Sequence, residues 1–265
     1  MTKLGRYRLY QGDCLEVMDI LIKENIKIDL TVTSPPYDDI RNYNDSLVWN
    51  FDIFKQVADR LYSITKDGGV VVWVVNDKTK NGSETGTSFR QALYFKEIGF
   101  NLHDTMIYYK NNPIPTQGKR YHQHFEYMFV FSKGTPKTFN PIMEECKYKG
   151  IANMKNRGKN GTLNYKKINR TEKKKTGNVF FYSIGGGITT KDKFAFKHPA
   201  MFPEKLAEDH ILSWSNENDL VFDPFMGANT TGKMALLNNR RFIGIEKVGE
   251  YFEISKKRME NILDN

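Results

Sequence analysis

Residues 70–75 are five valines and one tryptophan, with no polar residue among them. β-Branched and aromatic residues favour strands, and an unbroken apolar strand has to be covered on both of its faces. Similar short runs occur at Ile28–Thr33 and at residues 220–222 and 242–245, with amphipathic helical segments between them. This alternation predicts an α/β domain in which helices cover both faces of a sheet.

The apolar run Ile28–Thr33 stops at Ser34-Pro35-Pro36-Tyr37. Two prolines fix φ and remove two backbone donors, so they predict a rigid, extended tip at the end of a strand. The hydroxyl of Ser34, the carbonyls beside it and the ring of Tyr37 suit a planar base that carries an exocyclic amine. An ordinary proline turn after a strand is the structural alternative.

The length of 265 residues favours one large domain with an insertion. No apolar run reaches the roughly 20 residues that a membrane-spanning helix needs, and the first residues lack the apolar core of a signal peptide. The two cysteines, Cys14 and Cys146, have no metal-binding spacing and form no disulfide framework. We therefore predict an intracellular protein without a metal site and without membrane association.

The net charge of +9 is concentrated in one segment. Between Cys146 and Gly177 the chain has eleven lysines and arginines and one acid, Glu172. Aromatic and asparagine residues lie among these charges, which favours nucleic-acid binding over a merely solvated loop. The predicted DNA-binding residues are Arg41, Arg120, Lys147, Lys149, Lys155, Arg157, Lys159, Lys166, Lys167 and Arg170.

Near the C-terminus, the strand at residues 220–222 runs into Asp223-Pro-Phe-Met-Gly-Ala-Asn-Thr-Thr-Gly232 and then into a helix. Small residues before a helix allow a ligand to approach the backbone closely, and Glu246 ends the next strand, where acids bind ribose hydroxyls. The loop is neither G-x-G-x-x-G nor a P-loop, which argues against NAD and against ATP hydrolysis. A purely structural βα turn is the alternative.

Together these motifs resemble the amino-type DNA methyltransferases, which methylate the exocyclic nitrogen of cytosine or adenine. Ser34-Pro35-Pro36-Tyr37 is similar to their catalytic motif, the loop from Asp223 to their S-adenosylmethionine loop, and His198-Pro-Ala to the segment leading into it. The order of the motifs is that of the permuted β class. The resemblance implies a circularly permuted Rossmann-like fold, with a mostly parallel seven-stranded sheet and an antiparallel hairpin at residues 103–109 and Phe125–Ser132. It divides the chain into a catalytic part (1–134), a basic target-recognition insertion (135–195) and a cofactor-binding part (196–265).

The resemblance also implies roles for individual residues. Ser34, Pro35, Pro36 and Tyr37 would hold the target base. The cofactor residues would be Asp13 and Cys14 beside the adenine, Glu246 at the ribose, and Asp223, Pro224, Phe225, Gly227, Asn229 and Thr230 around the methionine part. Asn229 stands where the family usually has glycine; asparagine tolerates positive φ, and we expect its side chain to face the cofactor. Asp13 also has the simpler interpretation of a helix N-cap.

The expected activity is methyl transfer from S-adenosylmethionine to N4 of a cytosine that is flipped out of duplex DNA. Serine at the first motif position is typical of the cytosine-N4 enzymes, and adenine N6 is the alternative target. A DNA-binding protein without activity and a protein-glutamine methyltransferase are further alternatives. The resemblance implies the cytoplasm of a prokaryotic or phage-infected cell, and it leaves open a cognate restriction endonuclease and a homodimer.

Overall fold

The computed structural model describes residues 5–36, 49–113, 115–116 and 118–263, with only the backbone at residue 263. These residues form two compact units. The main unit contains the described residues up to Asn140 and from Asn178 onward, and the second unit is Pro141–Gly177. The predicted residues Tyr37 and Arg41 lie outside the described part of the chain.

The elements are numbered in chain order. The strands are β1 (Tyr7–Gln11), β2 (Ile28–Thr33), β3 (Thr65–Val75), β4 (Thr79–Lys80), β5 (Ser83–Glu84), β6 (Asn101–Lys110), β7 (Phe125–Ser132), β8 (Met143–Glu145), β9 (Gly150–Arg157), β10 (Leu163–Arg170), β11 (Lys173–Lys175), β12 (Val179–Tyr182), β13 (Leu220–Asp223) and β14 (Arg241–Glu246). The α-helices are α1 (Cys14–Lys23), α2 (Phe51–Ile64), α3 (Thr87–Glu97), α4 (Glu204–Trp214), α5 (Thr230–Leu237) and α6 (Gly249–Leu263). A 3₁₀ helix spans Lys193–Lys197.

The main sheet has the strand order β1-β14-β13-β2-β3-β7-β6-β12. Strands β1, β14, β13, β2 and β3 are parallel neighbours, and β7 is antiparallel to both β3 and β6. The α/β class, the mostly parallel sheet and the antiparallel β6–β7 pair are thus confirmed.

The sheet has eight strands, one more than we expected. The additional strand is β12, which lies in the segment assigned to the insertion but pairs in parallel with β6 of the main sheet. Its last residue, Tyr182, is buried, and its hydroxyl donates to Asp209 Oδ2 over 2.9 Å. Four residues next to a long basic run give too short an alternating pattern to be recognised in the sequence.

Strand β3 shows why the sheet is buried on both faces. Val71, Trp73 and Val75 pack into one apolar cluster, which also contains residues of α1, α2 and α3. Val70, Val72 and Val74 pack into a second cluster, which contains residues of α4, α5 and α6. Consecutive side chains of a strand point to opposite faces, so the unbroken apolar run fills both layers.

This arrangement creates a switch point between β2 and β13. The connection from β2 to β3 passes through α2 on one face of the sheet, whereas that from β13 to β14 passes through α5 on the other face. In open α/β sheets, ligands bind in the crevice outside the carboxyl ends of the strands at such a point. The two motifs that the sequence analysis singled out follow the carboxyl ends of these two strands.

The second unit consists of two antiparallel pairs, β9 with β10 and β8 with β11. Most of its side chains are exposed, and its charge is strongly positive. Within the described ranges, no helix has the combined length and apolar character that crossing a bilayer requires.

Candidate functional site

The ends of β2 and β13 are joined by a buried hydrogen bond. Thr33 Oγ1 donates to Asp223 Oδ1 over 2.6 Å, and the backbone N–H of Phe225 donates to the same oxygen over 3.0 Å. Asp223 is 2% exposed, and burial raises the pKa of its carboxyl to about 7. This contact fixes Ser34-Pro35-Pro36 next to the loop that begins at Asp223.

A cavity of about 370 Å³ opens at this point. Its volume falls within the range of small-molecule sites, roughly 300–1,000 Å³. The predicted site residues that line it are Asp13, Cys14, Ser34, Pro35, Pro36, Asp223, Pro224, Phe225, Gly227, Thr230 and Glu246. The structure thus brings the proline tip, the C-terminal loop and the first helix start to one cavity.

Gly227 has a close-packed, left-handed backbone in the wall of this cavity. Its φ is +51°, and a Cβ atom built there would lie 2.7 Å from Nε2 of His198. A side chain is therefore excluded both by the conformation and by the neighbouring ring. The His198 ring in turn packs edge-on against Tyr251, with 4.4 Å between the ring centroids.

Glu246 ends β14 and receives two backbone hydrogen bonds. The N–H of Gly227 donates to Oε2 over 3.0 Å, and that of Val248 donates to Oε1 over 2.7 Å. Burial raises the pKa of this carboxyl. A carboxylate oxygen has more than one acceptor site, so Glu246 retains acceptor capacity for ligand hydroxyl groups while its orientation is fixed by the backbone.

Asp13 and Cys14 line the cavity where α1 begins, beside the strand end at Glu246. Asp13 accepts from the N–H of Leu15 over 2.9 Å, which confirms its N-cap interpretation, and it also forms a 3.1 Å ion pair with Lys247. Burial raises the pKa of the Cys14 thiol to about 12. Cys14 is therefore a neutral, apolar part of the wall at physiological pH.

Asn229 does not face the cavity, which corrects our expectation. Its backbone is left-handed, with φ 63°, as asparagine permits. Its side chain is buried and turned back toward α5, where Oδ1 accepts from the N–H of Gly232 over 3.1 Å. Asn229 thus acts as the N-cap of the helix that follows the loop, and Nδ2 has no hydrogen-bond partner among the described residues.

Helix α6 also holds the loop between β13 and α5 in place through hydrogen bonds. Ser255 Oγ donates to the carbonyl oxygen of Gly227, and Arg258 Nη1 donates to that of Ala228 over 2.8 Å. Arg258 is 1% exposed and also forms ion pairs with Asp192 and Glu204. The last helix therefore fixes two carbonyl groups of the loop.

Some residues at the cavity were not anticipated. Lys110 of β6 and Glu126 of β7 form an ion pair there, with side chains 18% and 13% exposed. Glu126 belongs to the predicted hairpin and Lys110 directly follows its first strand; the alternation of the two strands could have placed both on one face with Tyr108. Trp49, which precedes α2, packs edge-on against Phe225 with 5.3 Å between the ring centroids.

The predicted DNA-binding residues are divided between the two units. Arg120 belongs to the main unit and forms an ion pair with Glu84, 2.5 Å between Nη2 and Oε1. The other described members lie in the second unit: Lys147, Lys149, Lys155, Arg157, Lys159, Lys166, Lys167 and Arg170.

The loop, the buried carboxylates and the apolar wall fit S-adenosylmethionine. Gly227 has no Cβ where the loop passes His198, and Glu246 and Asp13 bring carboxylates to the ends of β14 and β1. Phe225, Trp49 and Leu15 provide apolar surface for a purine ring. These donor and acceptor types match a nucleoside that carries a charged amino acid part.

Comparisons with known proteins agree with this geometry. The family model described as DNA methylase (N6_N4_Mtase) matches residues 28–257. The orphan methyltransferase M.BamHII of Bacillus amyloliquefaciens is 55% identical over 253 residues, which cover 91% of this chain and 93% of that protein.

Two solved structures share the fold. The complex of M1.HpyAVI with S-adenosylmethionine has a TM-score of 0.65 and 25% identity, and the match covers 96% of this chain and 99% of that chain. The PvuII DNA methyltransferase, described as cytosine-N4-specific, has a TM-score of 0.69 and 23% identity, and the match covers 98% of this chain and 90% of that one. The chain therefore belongs to the DNA methylase family of amino-methyltransferases, which use S-adenosylmethionine as the cofactor and DNA as the substrate.

Proposed function

We propose that the protein methylates the exocyclic N4 of cytosine in DNA. The observation that carries this proposal is that the first residue after β2 is Ser34, and that it lies at the wall of the cavity. In the family, serine at this position is typical of cytosine-N4 enzymes, whereas aspartate or asparagine is typical of adenine-N6 enzymes. Adenine N6 is the alternative target, because a hydroxyl and a carboxylate can both accept from an amine.

The chemistry depends on making the amine nucleophilic. Its lone pair is delocalised into the ring, so hydrogen bonds from its N–H groups to Ser34 Oγ and the carbonyl of Pro35 would favour a tetrahedral nitrogen. S-Adenosylmethionine supplies an electrophilic methyl group on a positively charged sulfur. The nitrogen held by Ser34 and Pro35 would take this methyl directly as the methyl–sulfur bond breaks, S-adenosylhomocysteine would leave, and the amine proton would pass to solvent; the cysteine thiols would take no part. Catalysis is then mainly a matter of positioning.

The cofactor assignments of the individual residues belong to the same proposal. Glu246 and Asp13 would bind the ribose and the adenine side, and Asp223, Phe225, Gly227 and Thr230 would surround the methionine part. Their common position in the cavity wall supports these roles. Asn229 was the reason to consider a protein without activity; its side chain accepts from the N–H of Gly232, which supports an active enzyme over that alternative.

The basic second unit is proposed to contact DNA around the flipped base. Unstacking and unpairing one base costs a few kcal/mol, and phosphate contacts by lysine and arginine can offset this cost in a salt-dependent way. A partner endonuclease and a homodimer remain proposals. The relative with 55% identity is named an orphan methyltransferase, which favours a protein that acts without a cognate endonuclease.

The test is methylation of duplex DNA with isotopically labelled cofactor, followed by mass spectrometry of the nucleosides. We expect N4-methylcytosine, and N6-methyladenine would contradict the base assignment while leaving the enzyme class intact. Ser34→Ala should lower the rate by about 10- to 150-fold, as expected for one hydrogen bond of 1.5–3 kcal/mol, with cofactor affinity unchanged. Ser83→Ala, in the exposed hairpin of β4 and β5, is the matched control and should retain full activity.

A further inference from the structure

The largest element of the second unit is a two-stranded ribbon. Strands β9 and β10 pair along their whole length, from Gly150 opposite Arg170 to Arg157 opposite Leu163. From Gly150 to Arg170 the sequence contains six lysines and arginines and no acidic residue. The ribbon therefore presents positive charge without any acid in the same segment, which is the charge that a nucleic acid requires of its partner.

The register sorts the side chains into two faces, since directly opposed residues share a face and neighbours along a strand alternate. Face A consists of Ile151, Asn153, Lys155, Arg157, Leu163, Tyr165, Lys167 and Asn169. Face B consists of Gly150, Ala152, Met154, Asn156, Asn164, Lys166, Ile168 and Arg170.

The two faces differ in exposure. Every residue of face A is exposed, including Ile151 at 78% and Tyr165 at 62%. On face B, the opposed pair Ala152 and Ile168 is half-buried. Face A is thus the one that is open along its whole length.

Face A has side chains of the types that read base edges, and all of them are exposed. Asparagine makes paired hydrogen bonds to adenine, and arginine or lysine makes them to guanine, in the major groove. Face A has two asparagines, Asn153 and Asn169, and three cations, with Lys155 Nζ 5.5 Å from the centre of the Tyr165 ring. The ring holds this ammonium group above the face by a cation–π contact.

The dimensions also fit. The major groove of B-DNA is about 12 Å wide and admits a two-stranded β-ribbon. Successive side chains on one face of an antiparallel strand are about 7 Å apart, which is about two base-pair steps. In duplex RNA the major groove is deep and narrow and cannot be read by side chains, so the fit is to DNA.

We propose that face A of the β9–β10 ribbon enters the major groove of duplex DNA, and that Asn153 and Asn169 read base edges there. Face B is directed away from the bases. This inference deepens the proposed function and rests on it, because the duplex that face A reads is the one whose cytosine is to be methylated. The inference divides the ribbon into face A residues, which determine the recognised DNA sequence, and face B residues, which do not.

The experiment selects bound sequences from a randomised duplex DNA library with the full-length protein, so the readout does not depend on turnover. We expect the wild type to enrich a defined motif, and Asn153→Ala/Asn169→Ala to lose about 5- to 150-fold discrimination at one or more positions. The matched control is Asn156→Ala/Asn164→Ala, which removes two opposed asparagines of the same ribbon from face B and should retain the motif. In direct titrations, Lys167→Ala should alter sequence preference, whereas its neighbour Lys166→Ala should not.

Two results would overturn the inference: a motif changed by the face B variant but not by the face A variant, or no enriched motif for the wild type. Methyl transfer is measured separately on the same preparations. A wild type that enriches a motif without methylating cytosine would contradict the proposed function and leave the ribbon inference supported. If the wild type methylates cytosine and the face A variant selects the same motif as the wild type, the ribbon inference is contradicted and the proposed function is supported.

Discussion

The two units hold their functional side chains in opposite ways. In the main unit, Asp223 is 2% exposed and accepts hydrogen bonds from Thr33 Oγ1 and from the backbone N–H of Phe225. In the second unit, Tyr165 is 62% exposed, and the surrounding cations extend from a ribbon of two strands. The cavity is therefore arranged before any ligand arrives, whereas side chains of the ribbon can lose their freedom only when a partner binds.

The difference follows from what each region has to do. Transfer of a methyl group depends on holding two reacting atoms in line, and small displacements are costly. Binding to DNA begins with long-range attraction to phosphates, which requires charge and exposure but not a fixed geometry. Substitutions in the two units should accordingly differ in size and in the property that they change.

The largest contrast in stability is expected between a buried cation, Arg258, and an exposed one, Lys166. Arg258→Met should lower the free energy of unfolding by about 3–5 kcal/mol, because it removes a fully buried guanidinium that donates to the carbonyl of Ala228 and that pairs, together with Lys233, with Asp192 and Glu204. Lys166→Met, on the ribbon, should change it by less than about 0.5 kcal/mol. Urea denaturation of both variants measures the two values, and a cost below about 1 kcal/mol at Arg258 would contradict the comparison.

The next prediction concerns pH and Asp223. Its carboxyl has a pKa raised from 3.8 to about 7 by burial, so its contribution to stability is present at low pH and is lost as pH rises through 7. The stability of the wild type relative to Asp223→Asn should fall by up to about 4 kcal/mol between pH 4 and pH 8 and then stay constant. Urea denaturation across this range tests it, and a difference independent of pH would show that the carboxyl is not buried in this way.

A smaller effect is expected from the ion pair of Lys110 and Glu126. Lys110→Met should cost about 1–3 kcal/mol of folding free energy, because it removes the ammonium group that pairs with the largely buried carboxylate of Glu126. Lys110→Met/Glu126→Leu should recover most of this stability. We expect both variants to lose methyl transfer, since both side chains line the cavity; a double variant with full activity would exclude a role for the pair in substrate binding.

The smallest effect on stability is expected at Lys159, in the turn between β9 and β10. Lys159→Ala should leave the free energy of unfolding within about 0.5 kcal/mol of the wild-type value. Loss of one phosphate contact should reduce the slope of log affinity against log salt by about 0.9. Fluorescence titration with duplex DNA at several salt concentrations measures the slope, and an unchanged slope would place Lys159 away from the phosphates.

The sequence predicted the main unit in detail because its signals are strong there. Strands β2 and β7 have the bounds, Ile28–Thr33 and Phe125–Ser132, that the sequence analysis indicated. The residues of the two motifs meet at one cavity because parallel strands end at the same edge of the sheet. Sequence patterns carry this information because the local preference of each segment for helix or strand agrees with the element that it forms in the fold.

Other features could not be predicted, because they depend on contacts between distant residues. The direction of the Asn229 side chain is set by the N–H of Gly232 and by the surrounding core, not by residue type alone. The pairing of Lys110 with Glu126 requires the register of β6 and β7. In the second unit, composition gave the charge, but only the register of β9 and β10 separates its two faces.

The pairing of β1 with β14 has a consequence for synthesis of the protein. Tyr7 lies opposite Phe242, so β1 leaves the ribosome more than 230 residues before the strand β14 with which it pairs. The carbonyls of Gly227 and Ala228 receive their hydrogen bonds still later in synthesis, from Ser255 and Arg258. Because contacts this distant in sequence slow folding and leave strand edges exposed in the meantime, the cofactor side of the sheet is where nascent chains should depend most on chaperones.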